Sequence, residues 1–401
     1  MIFRRFLTIA ALAAWAGAGL AAPKLAASDE ALLKAYDAFR AGDPVKLARA
    51  SSSLNGHVLA PYLEYWRLKL RLEEAPDAEV RGFLQREARS YLAEQLRADW
   101  LKELGKRGEW QAFEQELAPL SRDDLEIRCY AWLSRLARGD DGAYEEAKPV
   151  WLEPRELPEG CNALADKMIE AGRITGAEVW RRVRILLANS QLTAARRTLG
   201  HLPDGETHDE RLLNQAATAP KRLLASPPRD LERRATREMV LFAVMRLARG
   251  EPEAAAEVLR GRLGTRLPAE DLKYLWGRLA YEGARRLLAE APEWYRLAGD
   301  AELNDEQLAW KARAALRAPD WETLRDAIDR MSVSARQDPA WTYWYGRALG
   351  AQGREDGARA YFLRISGQPN FYGLLAAEEL GYMLAVPEPF HAASEEEVSA
   401  A

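Results

Sequence analysis

The sequence holds only two cysteines and four histidines in 401 residues. That scarcity removes most metal and nucleophile chemistry. There is no His-Glu-x-x-His and no pair of Cys-x-x-Cys motifs, and His57, His201, His208 and His391 are widely spaced. We read them as ordinary surface and core residues. No Gly-rich loop ends in Gly-Lys-Ser/Thr, and no Gly-x-Ser-x-Gly elbow presents a serine. No catalytic residue, cofactor or metal is therefore assigned. β-Branched residues are scarce and no window alternates apolar and polar over strand length, which argues against a sheet. Net charge is −4 with both signs scattered, so the basic stripe that a nucleic-acid partner demands is missing. A second long apolar run is missing too.

The one apolar run that exists is Phe6 to Leu20, behind Arg4 and Arg5 and ahead of the small residues Gly19-Leu20-Ala21-Ala22. It is short for a bilayer span and has the order of a secretory leader, so residues 1–22 are expected to be a signal peptide. No cysteine lies near the cut, so no membrane anchor is expected after cleavage. Loss of Arg4 and Arg5 takes the charge from −4 to −6, which is ordinary for a soluble protein. Export also changes how Cys129 and Cys161 are read, because an oxidising compartment lets them join. A bridge would close a loop of 33 residues, counted inclusively from 129 to 161, and contribute about 3 to 4 kcal/mol. Two buried free thiols are the other reading.

Alanine, leucine, glutamate and arginine dominate the rest, in a pattern of helices that end at glycine and restart at once. Phe39-Arg40-Ala41-Gly42-Asp43-Pro44 is one such turn and Gly105-Lys106-Arg107-Gly108-Glu109-Trp110 another. Arg135-Leu136-Ala137-Arg138-Gly139-Asp140 recurs almost letter for letter as Arg246-Leu247-Ala248-Arg249-Gly250-Glu251. Glu170-Ala171-Gly172-Arg173 and Gly350-Ala351-Gln352-Gly353-Arg354 complete the set. Gly42, Gly108, Gly139 and Gly172 stand 66, 31 and 33 residues apart, near multiples of the helix–turn–helix period of about 34. Each glycine is expected to take the left-handed conformation that stops a helix. Thr175/Glu178 and Asn304/Gln307 have capping-pair spacing, and Pro61, Pro76, Pro119, Pro158, Pro268 and Pro339 mark junctions. The stretch Pro203 to Asp230 reads as a longer connection holding short helices. Trp341, Tyr343, Trp344 and Tyr345, with Gly346, Ala348, Leu349, Gly353, Ala358 and Tyr361, resemble a tetratricopeptide-type hairpin.

The fold class that follows is all-α: a right-handed superhelix of stacked hairpins, a TPR-like solenoid that is curved or ring-shaped, over residues 23–386. Residues 387–401 are expected to be the start of a linker domain or a disordered tail. Pro387 and Pro389 mark a boundary there, and Ser394 with Glu397 has capping-box spacing four residues before the sequence stops. That last feature suggests an interrupted or partial chain. Tryptophan is plentiful, with 13 residues. Exposed indoles on a concave face suit stacking on sugars, but tryptophans at helical spacing more often fill hairpin cores.

Several colinear motifs carry a family resemblance. Pro61-Tyr62-Leu63-Glu64-Tyr65-Trp66-Arg67-Leu68, Tyr91-Leu92-Ala93-Glu94-Gln95-Leu96-Arg97 and Asp99-Trp100-Leu101 resemble segments of soluble lytic murein transglycosylases. So do Glu156-Leu157-Pro158-Glu159-Gly160-Cys161, Gln337-Asp338-Pro339 through Trp344, and Asn370-Phe371-Tyr372-Gly373-Leu374-Leu375-Ala376-Ala377-Glu378. The match runs from about Ala26 to Leu384. It implies the N-terminal superhelical domain of that family without its lysozyme-like catalytic domain, since neither the Glu-Ser dipeptide nor a Gly-Leu-Met-Gln motif occurs. The family cleaves the bond between N-acetylmuramic acid and N-acetylglucosamine to 1,6-anhydro products. The resemblance implies a periplasmic location, peptidoglycan glycan strands as partner, other cell-wall enzymes as further partners, and a bridge between the two cysteines. It leaves the glycan-binding residues unknown. The expected role is glycan-strand binding or docking in cell-wall turnover, without cleavage. The rivals are a stand-alone periplasmic protein-interaction scaffold and an all-α glycosidase using an unrecognised carboxylate pair.

Overall fold

The computed structural model describes residues 27–54, 56–202, 206, 209–382 and 392–400. The leader at 1–22, His208, His391, Pro203, Pro387 and Pro389 lie outside them. Every regular element among the described residues is helical, and none of these helices is long and apolar enough to cross a membrane. The chain divides into two compact units, Met1–Arg182 and Val183–Ala401.

The first unit is a succession of helical hairpins: α1 (Ala27–Arg40) with α2 (Pro44–Ser51), α3 (Ala60–Leu70) with α4 (Asp77–Arg86), α5 (Tyr91–Arg107) with α6 (Trp110–Leu117), and α7 (Leu125–Ala137) with α8 (Gly142–Trp151). Then come α9 (Glu159–Glu170) and the start of α10 (Gly176–Ala188). The first helix of each hairpin lies on the first helix of the next, in the order α1, α3, α5, α7, with α9 closing on α7. Burial follows the sequence stripe. Leu92 is 5% exposed, and Leu96, Trp100 and Leu104 are fully buried in one continuous core that runs from Ala35 to Tyr130. Hairpins that each leave one face apolar gain stability only by covering their neighbours, which is why the array is continuous.

The turns show how the chain restarts. Gly108 sits at φ 71° after α5, where its N–H caps Leu104 and Gly105 and the Glu109 N–H returns to Leu104 O at 2.9 Å. Gly42, Gly139, Gly172 and Gly353 take the same hand. Gly250 does not. It remains helical, and Glu251 at φ −140° makes the break. The following Pro252 disfavours helical geometry in the residue before it, so proline replaces glycine as the stop. The capping pairs also form: Thr175 N–H donates to Glu178 Oε2 at 2.8 Å, and Asn304 with Gln307 makes a complete reciprocal box.

The second unit holds the end of α10, α11 (Leu192–Leu199), α12 (Glu210–Thr218) and α13 (Pro220–Ala225), the last two within the irregular stretch. It continues with α14 (Arg234–Gly250), α15 (Pro252–Arg260), α16 (Ala269–Arg285), α17 (Ala291–Ala298), α18 (Asp305–Arg317) and α19 (Trp321–Asp329). After these come α20 (Val333–Arg336), α21 (Pro339–Ala351), α22 (Glu355–Leu363), α23 (Phe371–Glu379) and α24 (Glu395–Ala400). Helix α14 packs on α12, α13, α15 and α16 and is buried around most of its circumference. Ser394 N–H donates to Glu397 Oε2 at 2.8 Å at the start of α24.

Candidate functional site

Cys129 on α7 and Cys161 on α9 are joined, with an S–S distance of 1.98 Å and both residues buried. The bridge fixes a contact that small residues already make close. A Cβ on Gly160 would meet the Tyr130 ring at 2.6 Å, and one on Gly105 would overlap the same ring. Burial, then the charges of Glu126, Glu159 and Glu103, push the Tyr130 phenol up to about 12. This region is structural: it locks α5, α7 and α9 together.

Of the histidines, His57 Nδ1 accepts from the Leu59 N–H at 3.0 Å, which leaves Nε2 to face Asp29 at 3.4 Å. His201 is half-buried after α11. Both cysteine sulfurs are in the bridge, so neither is a free thiol for a histidine to activate. No group of three or more His, Cys, Asp or Glu side chains that could hold a metal occurs among the described residues.

Some carboxylates are more deeply buried than the sequence suggests. Glu238 is 2% exposed and Asp271 7%. Arg184 grips Glu238 through Nε at 2.9 Å and Nη2 at 2.7 Å, and reaches Asp271 at 2.7 Å; Arg237 meets Asp271 at 2.8 Å. Burial opposes the charge on Arg184, yet the bond to Glu238 and the fields of both carboxylates hold its pKa above the usual value. These carboxylates are salt-bridge partners that tie α10, α14 and α16 together. Arg182 is buried without such a partner. It donates to Trp151 O, to Glu153 O at 3.1 Å and to Arg155 O at 3.2 Å, closing the end of α8, and burial lowers its pKa to about 10.

The tryptophans mostly fill cores. Trp66, Trp100, Trp151, Trp180, Trp276, Trp294 and Trp341 are buried. Trp110, Trp132, Trp310, Trp321 and Trp344 are half-buried. A candidate aromatic surface is instead a cleft among α19, α20, α21 and α22. It has a volume of about 200 Å³ and is lined by Trp341, Tyr345, Tyr361, Arg336, Gln337, Asp329 and Arg364. Tyr345 and Tyr361 stack at 4.6 Å, 19° from parallel, and the Tyr345 hydroxyl donates to Asp329 Oδ2 at 3.2 Å. Guanidinium groups lie against these rings: Arg313 over Trp341 at 5.1 Å, Arg325 over Tyr345 at 5.5 Å and Arg364 over Tyr361 at 5.1 Å. Burial, then the neighbouring Tyr345, raises the Tyr361 pKa, so the Tyr361 hydroxyl is a neutral donor at ordinary pH. Apolar rings bordered by convergent donors suit a sugar ring with polar edges.

A larger groove of about 640 Å³ lies between α3 and α5, but it offers no aromatic ring. Two of its lysines are paired, Lys69 with Asp99 at 2.6 Å and Lys102 with Asp124, outside the groove, at 2.9 Å. Sequence reasoning noticed Tyr345 and Tyr361 only as parts of a hairpin. They are 16 residues apart, and nothing in their local spacing marks their stacked rings or the four arginines near them.

No protein-family model matches the chain. It is 23% identical to the soluble lytic murein transglycosylase of Escherichia coli (strain K12) over 346 residues, covering 82% of this chain and 51% of that protein. It is 22% identical over 345 residues to the enzyme of the same name from Salmonella typhimurium (strain LT2), with the same coverage. Among solved structures, an inactive mutant of a lytic transglycosylase from Pseudomonas aeruginosa superposes with a TM-score of 0.54 at 24% identity, covering 88% of this chain and 58% of that one. The last likeness is one of fold. The chain spans about half the length of the curated relatives it matches. The helical array described above is thus similar to soluble lytic murein transglycosylases over most of its own length and about half of theirs.

Proposed function

We propose that this chain is a non-catalytic superhelical part of a periplasmic lytic transglycosylase, binding or docking peptidoglycan glycan strands during cell-wall turnover. The observation that carries the reading is the sequence match to soluble lytic murein transglycosylases over 82% of the chain. The aromatic cleft of the second unit supplies the chemistry for holding sugar. The stacked Tyr345–Tyr361 pair offers apolar ring edges, Gln337 and Arg336 offer donors to hydroxyl and amide oxygens, and Asp329 offers an acceptor. The parent reaction, cleavage between N-acetylmuramic acid and N-acetylglucosamine with formation of a 1,6-anhydro product, needs a proton-donating carboxyl held neutral near its ordinary working pH. The buried carboxylates Glu238 and Asp271 are paired to guanidinium instead.

Incubation of the chain with purified murein tests this. Sedimentation with the polymer and no release of anhydro-muropeptides is expected. Release of anhydro-muropeptides overturns the non-catalytic role. A stoichiometric protein partner from an envelope extract, with no sedimentation on murein, favours a scaffold instead.

A further inference from the structure

Away from the cleft, the second unit gathers arginines with too little carboxylate to neutralise them. Arg246 and Arg249 stand on α14, and Arg278 and Arg285 on α16. Glu282, also on α16 and 6% exposed, is the acid among them, 3.7 Å from Arg285 Nη1 and 4.0 Å from Arg249 Nε. Arg246, Arg249 and Arg278 are half-buried. Together with Glu282 they line a cavity of about 10 Å³, room for one water-sized atom such as a single carboxylate oxygen.

The bland explanation is that these side chains cap helix ends. It accounts for Arg249, which donates to Ala188 O at 2.5 Å and to Ser190 Oγ. It accounts poorly for the other two. Arg246 reaches Ala217 O at 3.4 Å and Arg278 reaches Ala188 O at 3.4 Å. Each such bond uses one of a guanidinium's five N–H donors. Burial is the main reason the Arg249 guanidinium titrates below its ordinary range; Glu282 works against this, while Arg278, Arg246 and Arg285 add to it. Arg246 and Arg278 form no ion pair among the described residues, so beside Arg249 they present paired donors and a positive field to an incoming oxyanion.

We propose that the Arg246–Arg249–Arg278 cluster is an oxyanion site that takes a carboxylate. Resting on the glycan-strand reading above, we assign that carboxylate to the peptides borne by the same strand. The site is distinct from the aromatic cleft, which faces the sugar.

Titration calorimetry of the whole chain at low salt tests this with four probes: peptide-bearing glycan strands, the same strands with carboxyls amidated, peptide-free strands, and citrate. The variants are Arg246→Gln combined with Arg278→Gln, and Glu282→Gln. Amidation should weaken wild-type binding about tenfold, the size of one charge-assisted hydrogen bond, and should leave the double variant unchanged. Glu282→Gln removes no guanidinium, so it should tighten citrate and peptide-bearing strands severalfold. It also answers the question if the double variant fails to fold. Peptide-free strands should bind wild type and double variant alike. Equal loss on amidation in wild type and double variant, or no gain from Glu282→Gln, overturns the site. Binding of citrate that depends on Arg246 and Arg278, without any effect of amidation on strand binding, overturns the peptide assignment. If peptide-free strands do not bind but citrate binding still depends on Arg246 and Arg278, the oxyanion site stands and the glycan reading alone fails.

Discussion

Glu238→Ala is the sharpest perturbation available to the second unit. The carboxylate is almost sealed from solvent and holds Arg184 by two bonds, while Arg184 and Arg237 share Asp271. Truncating one partner of a buried pair leaves the other charge uncompensated and costs roughly 3–5 kcal/mol. Asp271 still reaches Arg184, so the lower end applies, about 3 kcal/mol. With a urea dependence of roughly 2 kcal/mol per molar, the transition midpoint of the second unit should fall by about 1.5 M. Tryptophan fluorescence reads it, since Trp276 and Trp294 are buried in that unit. Replacing both charges, Arg184→Met with Glu238→Leu, should stay within about 1 kcal/mol of wild type, because nothing charged is left stranded and Asp271 keeps Arg237. A shift below about 1 kcal/mol for Glu238→Ala, or a double variant as damaged as the single, would refute the reasoning.

Three further outcomes follow. Breaking the Cys129–Cys161 bridge by double alanine substitution opens a loop whose ends are 32 residues apart. It should lower the stability of the first unit by about 3.7 kcal/mol in chain-entropy terms, measured by the same urea titration. Tyr130 and Tyr281 are both held up to about 12, chiefly by burial, with the bond to Glu306 adding to Tyr281. An unfolded tyrosine titrates near 10. Their contribution to stability is therefore complete below about pH 10 and fades as pH rises through about 12. A near-ultraviolet titration should show high-pH components that Tyr130→Phe and Tyr281→Phe each remove; ionisation of all tyrosines together near 10 counts against it. Arg364→Ala, which uncovers the Tyr361 ring without altering a core, should change murein affinity while leaving the melting temperature within a degree or two.

What the sequence made legible was local. Gly42 and Gly108, Thr175 with Glu178, and Asn304 with Gln307 are decided within a few residues, so their turns and caps are written in the chain itself. Gly250 shows the limit of that reasoning: its six-residue surroundings match those of Gly139, yet Pro252 lies just beyond and moves the break by one residue. Arg184, Glu238 and Asp271 were not legible, because their partnership spans 54 and 87 residues and depends on which helix faces meet. The aromatic cleft was half legible. Tyr345 and Tyr361 fall within one hairpin pattern, but the arginines that border them come from α18, α19 and α20 and from the turn after α22.

Co-sedimentation of the chain with purified murein, comparing wild type with Tyr345→Ala combined with Tyr361→Ala, bears most directly on the central claim. Both rings are half-buried at the cleft surface, so the double variant should retain its helical circular dichroism. Loss of the two aromatic rings, at roughly 1 kcal/mol each, should reduce retention on murein by about tenfold or more. Retention equal to wild type in a folded double variant would contradict it.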